Sequence, residues 1–262
     1  MRTLRILETA DVIAAEDTRN TVKLLNHYGI KTPLTSYHEH NKISKGPILV
    51  ERMRNGETVA LVTDAGMPGI SDPGADLIRL AYEAGIALTV LPGASAGIVG
   101  LVLSGLDAGR FVFEGFLASE KKERRQTLEL LQKEHRTMVF YEAPRRLIET
   151  LEIFITAFGE SRNAATVWEL TKKFEETKRG TLGEVLAYYK TEAPRGEFVI
   201  VVEGLSLEKQ KKDEIAVWQE MSVVAHMELY LRQGMNEKEA MKLVAKDRGV
   251  SKREIYQEVK AR

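Results

Sequence analysis

Four short stretches of the chain bring together residue types that could do chemistry. The first is TDAGMPGISDPG (63–74), which follows the apolar run ETVALV (57–62) and holds three glycines, two prolines and two aspartates. Proline fixes φ and removes a donor, glycine permits positive φ and close backbone approach, and aspartate can bond neighbouring N–H groups. The stretch therefore reads as a shaped ligand cradle, with a long but ordinary βα turn as the structural alternative. The second, AEDTRNT (15–21), carries Glu16, Asp17 and Arg19 at the carboxyl end of an expected strand, where open α/β sheets bind ligands. A capped helix start, with Asp17 or Thr18 as N-cap, would explain the same residues. The third, SYHEHNK (36–42), places His38, His40 and Asn41 after another strand. Two histidines at i, i+2 in a loop are more often solvated or hydrogen-bonded than metal-bound. The fourth, LPGASAG (91–97), has small residues that let a ligand touch backbone as a helix begins, or that let helix and sheet pack tightly.

Several chemistries lack their signals. The sequence has no GxGxxG or GxxxxGK[ST], which removes the usual marks of dinucleotide binding and P-loop hydrolysis. It has no cysteine and five histidines without HExxH spacing, so neither disulfides nor a metal centre is expected. Lys+Arg and Asp+Glu both number 38, and a neutral total says nothing about a local basic face such as the helix KKERRQTLELLQKEHR (121–136).

The elements that must position these stretches follow from periodicity. DVIAAED, PLTSY, ETVALVTD, IALTVLPG and RFVFEGF read as strands alternating with helical segments such as ADLIRLAYEAG, the pattern of a mostly parallel sheet. RTMVFYEA, NAATVWELT and GEFVIVVEG continue as strands of a second series, with RRLIETLEIFITAFGE and TLGEVLAYYKTEA as helices. At 262 residues, 44% hydrophobic and 29% charged, the chain suits two α/β domains, 1–109 and 110–204, followed by a linker and helical tail, 205–262. In the tail, Asn236 and Ser251 are expected N-caps, with Glu239 and Glu254 completing capping boxes and Gly234 and Gly249 ending helices. No apolar run reaches membrane-spanning length and no signal peptide opens the chain, so the cytoplasm is the expected compartment.

IAAEDTRNT, YHEHN, LVTDAGMPGISDPG, LPGASA, FYEAPRR, ELTKKFEE and GEFVIVVEG, taken together and in this order, closely resemble the tetrapyrrole methylase superfamily of class III S-adenosylmethionine (SAM) methyltransferases, in particular its branch that modifies small-subunit ribosomal RNA. The resemblance covers almost the whole chain. It implies two α/β domains with SAM in the cleft between them, a homodimer, and methylation of the ribose 2′-oxygen of a cytidine in the decoding region of 16S rRNA, within the 30S subunit and without a metal. Members of the family open with a strand and a loop of the form PTPIGNLEDIT. This sequence opens within the following helix, RTLRILETA, so that strand and loop are expected to be missing, with the sheet edge exposed and activity impaired.

By the same resemblance Asp64, Ala65, Gly66 and Met67 lie beside SAM, Ser95 and Ala96 touch it from the next strand end, and Tyr141, Leu170 and Phe198 form the second domain's wall. The reaction it implies is an in-line displacement, for which the protein supplies alignment and a base for a weakly acidic hydroxyl. Glu16, Asp17, Glu142, Glu169 and Lys172 are the candidates for that base, each with a structural or positioning role as its rival. Arg19, Arg145 and Arg146, with His38, His40 and Asn41, suit RNA contact, since guanidinium heads match phosphate oxygens. Lys246, Arg248, Lys252 and Arg253 surround a turn between two tail helices in a helix-turn-helix-like arrangement that could present cations to phosphates. Two alternatives remain open at this stage: a methyltransferase of the same superfamily acting on a tetrapyrrole or a translation factor, and a noncatalytic RNA-binding module.

Overall fold

The computed structural model describes residues 2–206, 218 and 221–260. The expected linker LSLEKQKKDE (205–214), apart from its first two residues, and most of 215–220 lie outside the described residues.

A run of four small and branched apolar residues, Val12–Ala15, forms β1, and all four are buried. Such continuous burial belongs to a parallel strand covered on both faces. β1 lies between β2 (Leu34–Ser36) and β3 (Val59–Val62), parallel to both. Side chains alternate across a strand, so Val12 and Ala14 meet Tyr37, Leu49 and Leu77 on one face, and Ile13 meets Leu7, Leu25 and Ile30 on the other. The covering helices are α1 (Arg2–Thr9), α2 (Thr18–Tyr28), α3 (Lys42–Arg54) and α4 (Ala75–Glu83). The segment IALTVLPG, expected as a fourth strand, has no strand hydrogen bonding, and Leu88 and Val90 within it are 48% and 67% exposed. Its alternation is real, but a strand exists only where a neighbour satisfies its backbone groups, and the described residues provide none there.

The second sheet has the order β4-β5-β8-β6-β7, built from Phe111–Phe116, Thr137–Glu142, Phe198–Val202, Asn163–Trp168 and Glu176–Thr181. Only β4 and β5 are parallel; the other pairs are antiparallel. β7, ETKRGT, is a strand that the sequence does not announce, because it carries no apolar alternation; its register on β6 holds it. α6 (Lys121–Leu131), α7 (Leu147–Phe158) and α8 (Leu182–Thr191) accompany this sheet. Met138 and Phe140 of β5 join Leu151, Phe154, Val185, Phe198 and Ile200 in the largest core cluster.

The opposite face of the second sheet is covered by α5 (Ala96–Ser104), which follows the first sheet in sequence. Leu101 packs among Val139, Val167, Val199 and Val201. The approach is so close that a Cβ on Gly100 would lie 2.6 Å from Val199 Cγ1. α5, although it follows the first sheet in sequence, is thus packed on the second.

Three helices end the chain: α9 (Val223–Arg232), α10 (Glu237–Arg248) and α11 (Lys252–Lys260). Their buried residues, among them Met227, Ala240, Val244 and Ile255, form a cluster of their own. The Asn236–Glu239 pair makes the expected capping box, Ser251 and Glu254 exchange the same two bonds, and Gly249 ends α10 in the left-handed conformation. Among the described residues no helix is long and apolar enough to cross a membrane.

Candidate active site

Where β3, β5, β6 and β8 meet the first turn of α5, the chain leaves a cleft of about 680 Å³. Its walls are the loop after β3, the start of α5, Phe116 and Tyr141 from the second sheet, the loop 169–172 after β6, and residues 196–199. That volume suits a cofactor-sized ligand. Three non-glycine residues among those described have positive φ: Ser71 (62°), Glu169 (52°) and Thr171 (64°). All three line this cleft. Backbone of this kind is held only where the surroundings over-determine it, and it gathers at ligand sites.

The Gly/Pro loop owes its shape to specific contacts. Gly66 has φ +80° with its α-carbon facing Ala94 O, so two loops approach through backbone alone. Gly74 has φ +140°, and a Cβ there would lie 2.7 Å from Leu61 Cδ2. Across the cleft the backbone N–H of Gly97 donates to Tyr141 Oη at 2.9 Å, and burial pushes the Tyr141 phenol above its usual range. Ser95 is the N-cap of α5 but makes no side-chain cap bond, and with Ala96 it brings the start of the helix to the cleft wall.

Charge in the cleft is mainly negative. Asp72, Glu169 and Glu197 line it with one cation among the described residues, Lys172, whose Nζ donates to Glu169 Oε1 at 2.8 Å. Burial, with Glu16, Glu197 and Asp64 nearby, pushes the Asp72 carboxyl up to about 6.

Ala65, Gly66, Met67, Ser95, Ala96, Tyr141, Leu170 and Phe198 all lie on this lining, as do Glu169 and Lys172. Asp64 stands behind it: its carboxylate accepts from Asn20 Nδ2 at 3.1 Å, and its N–H donates to Glu16 Oε2 at 3.3 Å. Glu16 thus holds the loop. Asp17 is the N-cap of α2, accepts from the Arg19 N–H at 2.8 Å, and is held at about 2 chiefly by the Arg19 side chain. Glu142 is buried at the end of β5, where Thr150, the Ala143 N–H and Arg146 satisfy it. Neither Asp17 nor Glu142 faces the cleft, so their structural roles account for them.

Of the residues expected at RNA, Arg145 is exposed and makes no ion pair among the described residues, whereas Arg146 is engaged by Leu117 O, Ser119 and Glu142. Arg19 is exposed but paired with Asp17. Asn41 organises its own loop by bonding Ser36 and the His38 N–H, with His38 Nε2 3.2 Å away, while His40 is exposed. Lys252 and Arg253 are exposed on α11; Arg248 turns inward to His226 and Met221 O. No trio of His, Asp or Glu among the described residues is placed to hold a metal.

Asp72 and Glu197 are cleft residues that the sequence does not single out. Asp72 lies within the Gly/Pro loop, but whether an aspartate bonds its neighbours or stands free in a cleft depends on tertiary contacts that periodicity does not carry.

A family model described as Tetrapyrrole (Corrin/Porphyrin) Methylases matches residues 1–186, and the chain belongs to that family. A ribosomal RNA small subunit methyltransferase I from Halalkalibacterium halodurans is 48% identical over 97% of this chain and 87% of its own length. Its namesake from Bacillus subtilis is 46% identical over the same shares. Within the family the chain therefore stands with the proteins named ribosomal RNA small subunit methyltransferase I. A solved diphthine synthase shares the fold, with a TM-score of 0.61, 16% identity, and coverage of 78% of this chain and 83% of that one.

Proposed function

We propose that this chain transfers the methyl group of SAM to the ribose 2′-hydroxyl of a cytidine in the decoding region of 16S rRNA, acting on the 30S subunit in the cytoplasm as a homodimer. The observation that carries the reading is the cleft, in which two strained loops from different sheets converge. The residues fit SAM. Asp72 and Glu197 suit a sulfonium and an ammonium, the start of α5 suits a carboxylate, and Met67, Ile70, Val99, Phe116 and Leu170 offer apolar surface to an adenine ring.

Bound SAM supplies a methyl carbon already activated by a positively charged sulfur. The protein's share is to align an oxygen with that carbon, exclude competing water and accept a proton; alignment of this kind is worth several kcal/mol, up to about 7–11 in well-oriented model reactions. Rim residues support an RNA substrate. Phe174, 70% exposed, carries Lys173 Nζ 5.5 Å from its ring centroid, a pairing suited to base stacking beside a phosphate. Arg145 lies on the surface after β5. Ile98 and Val102, one turn apart on α5, are exposed and offer an apolar strip to a second copy. We also take residues 1–109 and 110–204 as the two functional halves of the cleft.

The test is transfer of labelled methyl from SAM to undermethylated 30S subunits, with naked 16S rRNA, a tetrapyrrole precursor and a translation factor as comparisons. Label at a cytidine ribose of the 30S subunit is expected; label only on the precursor or the factor would overturn the reading.

A further inference from the structure

We infer that the Asp72 carboxylate is the group that accepts the proton of the attacking ribose hydroxyl, an assignment that rests on the methyl-transfer reading of the cleft. Three other acidic groups near the cleft are occupied. Asp64 accepts from Asn20, Glu16 accepts from the Asp64 N–H, and Glu169 is paired with Lys172. Asp72 makes no hydrogen bond or ion pair among the described residues, yet it is half-buried on the cleft wall. Glu197 also lacks a partner among them, but it is exposed.

Asp72 is held by its neighbours in sequence. Ser71 before it adopts φ 62°, Pro73 after it has a fixed φ, and Gly74 begins α4 at φ 140°. A carboxylate on so rigid a turn loses little freedom when it meets a hydroxyl. The groups facing it are Glu16 after β1, Asp64 after β3, Glu197 before β8 and Tyr141 on β5. None of these is a cation, so the free carboxylate is neither neutralised nor made a weak base. Its ordinary value would leave it a poor acceptor, whereas at about 6 it is a stronger one and still mostly ionised at neutral pH.

The step balances. The 2′-oxygen bonds to the methyl carbon as the carbon–sulfur bond breaks, and that bonding pair goes to sulfur, leaving a neutral thioether. The hydroxyl proton passes to Asp72, which later releases it to water.

The experiment uses the full chain with 30S subunits. At saturating SAM, Asp72→Asn is expected to lose roughly 10²–10⁴-fold in single-turnover transfer and to lose the acid limb of the rate–pH profile. Asp72→Glu should restore part of the rate with the limb shifted. Independently of activity, the Asp72 carboxyl followed by carbon-13 NMR should titrate at a lower pH when SAM is bound than when S-adenosylhomocysteine is bound, because only SAM brings a sulfonium. Equal midpoints with the two ligands, or an Asn variant that keeps the rate and the acid limb, would overturn the assignment alone. A wild-type chain that binds SAM but labels no rRNA ribose would overturn the proposed function, and this assignment with it.

Discussion

The backbone N–H of Gly97 donates to the hydroxyl of Tyr141 at 2.9 Å, joining the first turn of α5 to β5 across the back of the cleft. Tyr141 also meets Phe113 and Phe116 edge-on, with ring centroids 5.1 and 5.6 Å apart. The phenol is thereby a strut as well as part of the wall. Tyr141→Phe should leave an N–H without its acceptor and lower stability by about 0.5–1.5 kcal/mol in urea unfolding. Gly97→Ala acts from the other side, since a Cβ would lie 3.1 Å from Phe113 Cε2 and 3.2 Å from Tyr141 Oη. Calorimetry should show SAM affinity reduced about tenfold in the alanine variant, the equivalent of roughly 1.4 kcal/mol of misalignment.

Gly66 tests the cradle itself. Its φ of +80° is open to glycine and strained for a β-branched residue, although no atom other than Ala94 O, at 3.5 Å, would meet a Cβ there. Gly66→Val should therefore abolish SAM binding while thermal unfolding shows that the fold survives. A folded valine variant with unchanged affinity would make the loop an ordinary turn.

Asp72 has a consequence for stability with a definite sign. Its carboxyl is raised from 3.8 to about 6 in the folded chain, first by burial and then by its acidic neighbours. Between pH 4 and 6, roughly, the folded chain keeps a proton that the unfolded chain releases, so this residue's contribution to stability falls as pH rises through that window. Above it the penalty of the buried charge is complete. Asp72→Asn should therefore melt above wild type at pH 7, by about 2 °C because the carboxylate is partly solvated, and equal to it below pH 4. A functional group held at a cost to stability behaves in this way.

Strands with apolar runs are legible in the sequence wherever both neighbours exist: β1, β5 and β8 lie within DVIAAED, RTMVFYEA and GEFVIVVEG. IALTVLPG has the pattern without a partner among the described residues, and β7 has a partner without the pattern, because pairing is a property of two segments and periodicity of one. Small residues in DAGMPG and ASAG point to the cleft for a physical reason, since close backbone approach requires them. Carboxylates are harder. Asp17, Glu142 and Asp72 are alike in sequence, and only their partners distinguish a helix cap, a buried anchor and a free group.

His226 makes the tail sensitive to acid. Its ring is buried, stacked between Trp218 and Tyr230 with centroids 5.2 and 5.6 Å away, and Nδ1 receives Arg248 Nε at 3.3 Å. Burial, then Arg248, lowers its pKa below 6.5, with Asp247 opposing. The unfolded tail takes up a proton near 6.5 that the folded tail refuses, so stability is full above that value and is lost as pH falls below it. Hydrogen exchange corrected for intrinsic rates should show α9–α11 less protected at pH 5.5 than at 7.5, and His226→Gln should remove the difference.

The tail also tests how the substrate is held. Its three helices carry their own core, and Lys246, Lys252 and Arg253 are exposed around the turn at Gly249, without ion pairs among the described residues. Over residues 205–262 Lys+Arg number 12 and Asp+Glu 10, so phosphate binding there must come from local clustering rather than net charge. Removing residues 221–262 should leave SAM affinity unchanged and weaken binding to the 30S subunit. For every phosphate that the protein no longer neutralises, the dependence of log affinity on log salt should flatten by about 0.7–0.9, so Lys252→Ala with Arg253→Ala should flatten it by up to about 2. If deletion abolished SAM binding instead, the tail would be a support of the cleft, because a module that only meets phosphates has no means of changing the affinity of a site between the two sheets.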